Sequence, residues 1–324
     1  MSFTVQNLNT AAQILSDRKA NAENTRAARR LKILKDYPVI AQYEAQLSKT
    51  GLEVAKALSM GEDAEKYIND LAAVNLTVQK KIKEELKKNG LPEDYLEIPY
   101  VCKKCSDSGF IDGIGCSCRR NLLIELTVKD LENVSPASKC RFDNFSLEYY
   151  SDKSESGFES SPKEKMEEIF EYCKDYAADF HLNSESLYLY GATGLGKTHL
   201  SLAIANVVVR NGYNVLYGSA QNILSRLEKE KFSGNKTDYE QEILDCDLLI
   251  IDDLGSEFST NYTVSAIYNI INTRINLSKP VIISTNLDEA ELEKKYTQRI
   301  TSRIIGSYTP ILFIGKDVRQ IKNM

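Results

Sequence analysis

The segment GATGLGKT, at residues 191–198, constrains the fold of this 324-residue chain more than any other part of its sequence. It follows the short apolar run LYLY and precedes a stretch with helical spacing that extends to about Arg210. Glycines let the backbone turn tightly, and a helix that starts directly after the turn presents free N–H groups at its first turn. A strand, a glycine-rich turn and a helix in this order predict a phosphate-binding loop.

The alternation of strands and helices continues to residue 315. CDLLIIDDL, at residues 246–254, has the continuous apolar run of a strand that is buried on both faces. Further strands are predicted over residues 187–190, 213–218, 280–285 and 308–315, with helical stretches between them. The pattern predicts an α/β fold, in which a parallel sheet is flanked by helices on both faces.

The first half of the chain has a different pattern. Helices are predicted over residues 9–36, 39–59 and 62–88, the last of which ends at Asn89-Gly90. The segment SDKSESGFESSPK, at residues 151–163, is rich in serine and predicts a linker. We therefore expect a smaller helical N-terminal domain over residues 1–150, a linker over 151–163 and a nucleotide-binding domain over 164–324.

Four of the seven cysteines lie within CKKCSDSGFIDGIGCSC, at residues 102–118. Cys102, Cys105, Cys116 and Cys118 follow the pattern C-x₂-C-x₁₀-C-x-C, with glycines that permit the chain to reverse between the two pairs. Four thiolates predict a closed structural Zn²⁺ site, because this ion prefers four tetrahedral ligands. An iron–sulfur cluster and unligated cysteines are the alternatives. The isolated Cys140, together with Cys173 and Cys246, is expected in the core.

The net charge of −5 is unevenly distributed. Residues 1–150 carry 22 Lys and Arg against 21 Asp and Glu, whereas residues 151–324 carry 19 against 25. An acidic second half disfavours tight binding to duplex DNA but leaves weak or ATP-dependent contact with single strands open. Residues 9–36 hold seven basic and three acidic side chains, which predicts either a solvated helix face or a docking surface for an acidic partner.

The chain has neither an apolar run of the ~18 residues that a membrane span requires nor the features of a signal peptide at its start. We therefore expect a cytoplasmic protein without membrane contact. In that compartment clustered cysteines bind metal more often than they form disulfides.

Two motifs predict the chemistry of the second half. Lys197 is expected to reach the β- and γ-phosphates of ATP, and Thr198 is expected to bind Mg²⁺ through its hydroxyl. Asp252, at the end of a buried strand, is the second predicted Mg²⁺-binding residue, and Asp253 is predicted to orient or deprotonate the attacking water. The residues predicted to contact ATP are Gly191, Ala192, Thr193, Gly194, Leu195, Gly196, Lys197, Thr198 and His199. Together they predict Mg²⁺-dependent hydrolysis of ATP to ADP and phosphate.

The order of the motifs resembles the AAA+ class and, within it, the DnaC/DnaI-type replicative helicase loaders, which are related to the IstB-like ATP-binding proteins. The resemblance rests on GATGLGKTHL, LLIIDDLG, IISTN and RITSR, and it covers most of the chain. The cysteine stretch separates the two groups, because DnaI-type loaders carry a zinc-bearing domain that binds the helicase, whereas IstB-type proteins resemble an ATPase with a shorter N-terminal part.

The resemblance implies roles for further residues. Asn286 would be the first sensor of the γ-phosphate, and Arg303 would be an arginine finger that completes the site of a neighbouring subunit, so that oligomerisation stimulates hydrolysis. Arg299 would support Arg303 or pair with an acidic neighbour, and Arg319 stands where a second sensor is found. The sequence departs from most of the class in having Asp253 in place of Glu, and the nine residues after Gly315 leave no room for a helical lid domain.

Three functional hypotheses follow. The resemblance implies an ATP-dependent loader that binds a hexameric DnaB-type replicative helicase and delivers it onto single-stranded DNA at the initiation of replication. An IstB-type transposition helper ATPase would instead remodel target DNA, and a binding adaptor would hold nucleotide with little hydrolysis.

Overall fold

The computed structural model describes residues 3–57, 64–134, 140–153, 160–233 and 239–322. The chain divides into two compact units, one formed by Met1–Ala11 with Arg120–Met324 and the other by Ala12–Arg119. This division differs from the predicted boundary at residue 150. Residues 120–150 group with the second half of the chain because side chains such as Leu131 and Tyr150 are buried in a core that also contains the strands.

The larger unit is built around a five-stranded parallel sheet. Its strands are β3 (Ser186–Tyr190), β4 (Val215–Ser219), β5 (Leu248–Leu254), β6 (Val281–Thr285) and β7 (Tyr308–Leu312). Their order across the sheet is β4-β5-β6-β3-β7. The helices that are grouped with it are α5 (Pro162–Ala178), α6 (Lys197–Arg210), α7 (Ala220–Ser233), α8 (Tyr239–Asp245), α9 (Asn261–Asn276), α10 (Glu289–Tyr296), α11 (Gln298–Ser307) and α12 (Val318–Lys322). The predicted α/β fold is confirmed.

Helices cover both faces of this sheet. Alternate residues of β5 show the arrangement: Leu248 and Ile250 share a core with α5 and α6, whereas Leu249 and Ile251 share a second core with α7, α9 and α11. A strand buried on both faces requires apolar residues at successive positions, which explains the continuous run LLII. The parallel order brings the carboxyl ends of β3, β5 and β6 together at one edge of the sheet.

The smaller unit contains most of α1 (Val5–Asp36), with α2 (Pro38–Ala57), α3 (Ala64–Lys88) and a short hairpin of β1 (Phe110–Ile111) and β2 (Ile114–Gly115). Ile33, Ile40, Val78, Ile82 and Leu86 form the centre of its helical core. The three predicted helices are confirmed where they are described, and residues 58, 59, 62 and 63 of those predictions lie outside the described residues. The chain continues from the hairpin into α4 (Ser117–Val134), which was not predicted.

Residues 154–159 of the predicted linker lie outside the described residues, and the described chain enters α5 through Ser161. The Ser161 hydroxyl accepts a hydrogen bond from the Glu164 N–H, and the Glu164 side chain accepts one from the Ser161 N–H. Pro162 occupies the first helical position, where a missing N–H costs nothing. Within the part of the chain that the structure describes, no helix has the length and apolar character to cross a membrane.

Candidate nucleotide site and candidate metal centre

The glycine-rich loop lies between β3 and α6, as its sequence predicts, and it forms one wall of a cavity of about 570 Å³. Residues of the loop from Thr193 to His199 line the cavity together with Asp252, Asp253 and Asn286. These three side chains come from the ends of β5 and β6, which the parallel topology places beside the loop. Residues that are separated by 89 positions in the sequence thus meet in one site.

The shape of the loop depends on glycine at two positions. Gly191 has φ +133°, and a Cβ added there would lie 2.3 Å from the Phe313 carbonyl oxygen. Gly194 has φ +74°, and a Cβ there would lie 1.9 Å from an Asp317 carboxylate oxygen. Side chains at these positions would therefore be strained by the backbone and would clash with the segment that follows β7. That segment also binds the loop directly, because the Val318 N–H donates to the Gly194 carbonyl oxygen over 3.0 Å.

Lys197 is buried, with 6% of its surface exposed, and its ammonium group is held by three oxygens. Nζ donates to the carbonyl oxygens of Gly191 and Ala192 over 2.6 and 2.7 Å and to Asn286 Oδ1 over 2.7 Å. Burial lowers the pKa of Lys197 to about 8, against the attraction of Asp253 and Asp252, which favours the charged form. A phosphate that enters the cavity would provide the anion that this buried cation lacks.

Asp252 is the most strongly bonded acid of the site. Its carboxylate accepts hydrogen bonds from the Thr198 hydroxyl over 3.0 Å, from the Tyr217 hydroxyl over 2.8 Å and from Ser284 Oγ over 2.5 Å. Thr198 and Asp252 lie side by side, so that one hydroxyl and one carboxylate are presented to the same point of the cavity. Hard oxygen donors of this kind fit Mg²⁺, which binds proteins through few side chains and keeps several waters.

Asp253 and Asn286 form the remainder of the predicted catalytic set. Asp253 has φ +54°, a left-handed conformation that is uncommon for residues other than glycine. The Asp253 N–H donates to Ser284 Oγ over 2.9 Å, and Asn286 Nδ2 donates to Asp253 Oδ1 over 3.0 Å. Because Asn286 also accepts from Lys197, one amide side chain connects the predicted phosphate-binding lysine to the predicted water-activating acid.

Ser284 is a residue that sequence analysis missed, and it bonds to both acids. We expect Ser284→Ala to lower kcat for ATP hydrolysis roughly 10- to 100-fold, because misplacing a reacting group by about 1 Å costs up to about this much. ADP affinity should change little, since the hydroxyl of Ser284 forms its two hydrogen bonds with Asp252 and Asp253 rather than with the glycine-rich loop. Steady-state kinetics and ADP titration would measure the two effects. Ser265→Ala, which removes an exposed hydroxyl from α9, is the control, and an equal loss in both variants would contradict the prediction.

The pKa of Lys197 predicts a pH dependence of nucleotide binding. ADP affinity should be constant from pH 7 to about 8 and should then fall by up to about tenfold per pH unit, because the free protein loses the Lys197 proton that binding requires. Fluorescence titration with ADP between pH 7 and 9.5 would measure the slope. Lys197→Arg should remove it, because a guanidinium stays charged throughout. A slope that persists in this variant would assign the titration to another group.

The titration of Lys197 should also affect the folding stability of the chain. Stability should rise with pH over the range in which ADP affinity falls. The pKa of Lys197 is lower in the folded chain, at about 8, than its ordinary value of 10.5. Between these two pH values the unfolded chain therefore binds more protons than the folded chain does. The contribution of Lys197 to stability consequently rises with pH over this interval.

Part of the cavity wall is formed by residues that the sequence analysis did not assign to the site. Asn144, Phe145 and Tyr149 line the cavity, and the Phe145 ring meets His199 edge to face with 5.2 Å between the ring centroids. The Tyr150 hydroxyl donates to the Leu195 carbonyl oxygen of the loop over 3.0 Å. The signal in the sequence is the aromatic-rich run RFDNFSLEYY, at residues 141–150, which precedes the predicted linker. Such a wall suits the flat face of a nucleotide base.

The three isolated cysteines occupy different surroundings. Cys173 and Cys246 are fully buried, as predicted. The prediction of a core position was wrong for Cys140, which is half-buried and lines the nucleotide cavity. The reason is that Cys140 begins the segment that forms the aromatic wall.

The three arginines suggested by the family resemblance have different positions. Arg319 is exposed and lines the cavity, and its charge helps to lower the pKa of Lys197. Arg303, on α11, does not line this cavity, and its guanidinium donates to the Tyr268 hydroxyl over 3.2 Å. Arg299 is exposed one turn earlier on the same helix. Arg303 is therefore separate from the nucleotide site of its own chain, and its predicted role in a neighbouring subunit stays a prediction.

The four clustered cysteines also come together. The Sγ atoms of Cys102, Cys105, Cys116 and Cys118 all lie within 4.8 Å of one another, with 3.8 Å between the first and third and 3.4 Å between the second and fourth. Four thiolates around one ion with metal–sulfur bonds of ~2.3 Å would be ~3.8 Å apart. The spacing is compatible with Zn²⁺, and it favours a single tetrahedral ion over a cluster that places several iron and sulfide atoms between the cysteines.

Backbone N–H groups around the cysteines form hydrogen bonds that stabilise this arrangement. Asp107 is buried, and its carboxylate accepts hydrogen bonds from the N–H groups of Val101 and Cys102 over 2.9 and 2.8 Å. The Gly109 N–H donates to Cys105 Sγ over 3.4 Å. A hydrogen bond from the Cys118 backbone lowers the pKa of Cys116 to about 7, which favours the thiolate that binds metals, whereas burial raises the pKa of Cys118. Such outer contacts orient ligands and tune metal affinity.

The parallel sheet, the glycine-rich loop and the acids at the end of β5 are the parts of a P-loop nucleotide-binding domain. Residues 171–305, less than half of the chain, match the family model described as IstB-like ATP binding protein. The replicative helicase loader DnaC of Buchnera aphidicola from Baizongia pistaciae is 28% identical over 169 residues, which cover 51% of this chain and 63% of that protein. DnaC of Escherichia coli K12 is 29% identical over 144 residues, which cover 43% and 58%.

Solved structures show a similarity of limited extent. A crystal structure of the DnaC helicase loader is 22% identical and covers 53% of this chain and 98% of its own, with a TM-score of 0.45. A crystal structure of DnaI is 21% identical and covers 57% and 93%, also with a TM-score of 0.45.

The sequence comparisons confirm the resemblance to DnaC-type AAA+ proteins that the motifs predict, and residues 171–305 are similar to an ATP-binding domain of this kind. The chain spans less than two thirds of the length of the two DnaC proteins.

Proposed function

We propose that this protein is an ATP-hydrolysing loader, which binds a hexameric replicative helicase and delivers it onto single-stranded DNA. The observation that carries the ATPase part is the connected set of Lys197, Asn286 and Asp253 in one cavity, beside the Thr198–Asp252 pair. The names of the relatives and the four-cysteine module support the loader part.

The reaction would be the attack of water on the γ-phosphate of ATP, which yields ADP and phosphate. Thr198 and Asp252 would hold Mg²⁺, which would neutralise charge on the phosphate oxygens when it is bound. The loop N–H groups and Lys197 would bind the phosphates, and Asp253 would orient the water or accept its proton. Asn286 would sense the γ-phosphate, because it is bonded to both Lys197 and Asp253.

The two compact units suggest a division of labour. The unit of Ala12–Arg119 contains the four cysteines, which are compatible with zinc, and it would bind the helicase. The unit with the sheet would bind ATP, associate with other copies of the chain and contact single-stranded DNA in its ATP-bound form. The acidic charge of residues 151–324 is consistent with weak rather than salt-resistant DNA contact.

The family match of residues 171–305 favours a second candidate, an IstB-type transposition helper ATPase. Its nucleotide chemistry would be the same, but its partner would be a transposase bound to target DNA. The acidic second half of the chain and the cysteine module both favour the loader, because a helper that remodels DNA needs a basic surface.

Light scattering after size exclusion would separate these candidates. The purified protein would be mixed with the hexameric replicative helicase encoded in the same genome, in ATP and in ADP. The loader predicts a defined complex whose mass gives the stoichiometry. Absence of a complex in both nucleotides, combined with binding to a transposase, would replace the loader by the helper. A complex without ATP turnover would favour an adaptor that binds nucleotide and does not hydrolyse it.

The role of Arg303 makes a separate prediction. We expect Arg303→Ala to lower ATP hydrolysis about 100-fold or more, because an arginine supplied by a neighbour stabilises transition-state charge. Mixing this variant with Lys197→Ala should restore activity, since the first has an intact pocket and the second supplies Arg303. ATPase assays on each variant and on the mixture would measure this. Arg210→Ala, at an exposed arginine of the same unit to which no role is assigned, is the control. An inactive mixture would contradict a role between subunits.

A further inference from the structure

The loop that follows β5 is held by a buried cluster of polar side chains to which the proposed nucleotide chemistry assigns no role. Glu257, four residues after Asp253, has 3% of its surface exposed. Its carboxylate accepts hydrogen bonds from the Tyr296 hydroxyl and, over 2.9 Å, from the Gly255 N–H. Lys295 Nζ lies 3.4 Å from the same carboxylate, so the buried acid has a charged partner, as buried acids require.

Lys295 also bonds to the backbone of this loop. Its Nζ donates to the carbonyl oxygens of Gly255 and Glu257, the latter over 2.8 Å. Both the N–H and the carbonyl group of Gly255 are therefore held by side chains of the cluster. Lys295 and Tyr296 are the last two residues of α10, and Tyr296 is fully buried in the core beside the sheet. The cluster thus fixes the loop to the end of α10.

The backbone conformation of the loop requires such support. The pairing of β5 with β6 is regular up to Ile251 and resumes at Leu254, with an irregularity in register between them. Asp253 lies within this irregularity and has φ +54°. A left-handed conformation at a residue other than glycine costs free energy and persists only where the surrounding contacts determine it. Irregularities of this kind beside active sites redirect side chains, and here the redirected side chain is that of Asp253.

We propose that Glu257 is a positioning residue for ATP hydrolysis, which fixes the loop after β5 to α10 and thereby holds the Asp253 carboxylate where the attacking water would bind. Glu257 does not line the nucleotide cavity, whereas Asp253 does, so that Glu257 acts through Asp253 and not on the nucleotide itself. The inference rests on the proposed function. It deepens that function by assigning the placement of the predicted water-activating acid to a buried contact between the loop and α10.

Glu257→Gln is the main test, because it keeps the volume of the side chain and replaces one of its two acceptor oxygens by an NH₂ group. The Gly255 N–H and the Tyr296 hydroxyl bond to different carboxylate oxygens, so one of them loses its acceptor. We expect kcat for ATP hydrolysis to fall about 10- to 100-fold, since a misplacement of about 1 Å costs up to about this much. ADP affinity should stay within about twofold of the wild type. Glu293→Gln, at an exposed acid of α10, is the control and should change neither quantity.

A double variant separates a positioning role from a general loss of stability. In an Asp253→Asn background, Glu257→Gln should lower the single-turnover rate by less than about twofold, because the acid through which Glu257 acts is already absent. A residue that only stabilises the fold would lower the rate by the same factor in both backgrounds, and that result would overturn the inference.

Tyr296→Phe tests the same contact without changing a charge. It removes one hydroxyl and keeps the buried ring, so that Glu257 loses its bond to α10 through this residue. We expect kcat to fall about tenfold, the effect of one hydrogen bond to a charged group, with unchanged ADP affinity. Steady-state ATPase assays, ADP titration and thermal melting curves would be measured for this variant and for Glu257→Gln.

The outcomes distinguish this inference from the proposed function. If the wild type hydrolyses ATP and both variants retain its kcat, Glu257 is not a positioning residue and the ATPase function stands. A parallel loss of kcat, ADP affinity and melting temperature in both variants would assign the cluster to the stability of the fold and overturn the inference. If the wild type does not hydrolyse ATP, either alone or with the helicase, the ATPase function and the inference both fall.

Discussion

Lys197→Ala is expected to reduce ATP hydrolysis by roughly two to three orders of magnitude, the size of effect seen when one preorganised charge-stabilising donor is removed from an active site. Nucleotide affinity should also fall, because Nζ is the buried cation of the site and has only carbonyl and amide oxygens as direct partners. The substitution also frees Asn286 from one of its two bonds, which loosens the connection to Asp253. ATPase assays and ADP titration would measure both effects.

The same variant tests the division of labour between the two units. Lys197 belongs to the unit with the sheet, so helicase binding through the unit of Ala12–Arg119 should remain within about twofold of the wild type. Ser265→Ala, which removes an exposed hydroxyl from α9 of the same unit, is the control for a general effect of substitution in this unit. Loss of both nucleotide and helicase binding in Lys197→Ala would show that the two activities are not separable.

Removal of the metal from the cysteine centre should impair helicase binding and leave nucleotide binding intact, which is the reverse of the result expected for Lys197→Ala. The binding of structural zinc contributes about 10–16 kcal/mol to the folding free energy of small zinc modules. Such a module is therefore expected to unfold when the metal is removed. We therefore expect Cys116→Ser, or treatment with a zinc chelator, to weaken helicase binding at least about 100-fold. The ATP site shares no residue with the centre, so ADP affinity should persist. Atomic emission, helicase binding and ADP titration would measure the three quantities.

Lys103→Ser is the control for this experiment, because Lys103 lies between two of the cysteines and is exposed. It should retain one zinc ion per chain and full helicase binding. If Cys116→Ser retains helicase binding after its zinc is lost, the metal centre does not organise the docking unit. Iron in place of zinc in the purified protein would identify a different ion without changing the structural role.

The nucleotide site was the part most accessible from sequence. GATGLGKT and the run LLIIDD each combine a local conformation with a chemical group, so that Lys197, Thr198, Asp252 and Asp253 could be predicted without knowledge of the remaining chain. Four cysteines at short spacing similarly predicted a metal centre, because their ligand geometry is almost independent of the surrounding fold.

Other contributions to the site could not be predicted. Tyr217 belongs to no motif, and Ser284 was assigned no role although it lies within IISTN. Both reach Asp252 only because β4 and β6 are the neighbours of β5 in the sheet. Phe145 and Tyr149 likewise reach the cavity through the path of the chain before α5. A helical prediction for residues 9–36 also could not reveal which face of α1 is covered by other helices and which face exposes Leu31 and Leu34.

Sequence patterns were sufficient to predict the fold class, the phosphate-binding loop, the pair of acids and the cysteine cluster, since each depends on a short segment whose conformation and chemistry are local. Four features became visible only in the folded chain: the order of the strands, the hydroxyl groups that hold Asp252, the connection from Lys197 through Asn286 to Asp253, and the exposure of Leu31 and Leu34 on α1. These features depend on which segments distant in sequence become neighbours, and that is set by the packing of the whole core rather than by any local pattern.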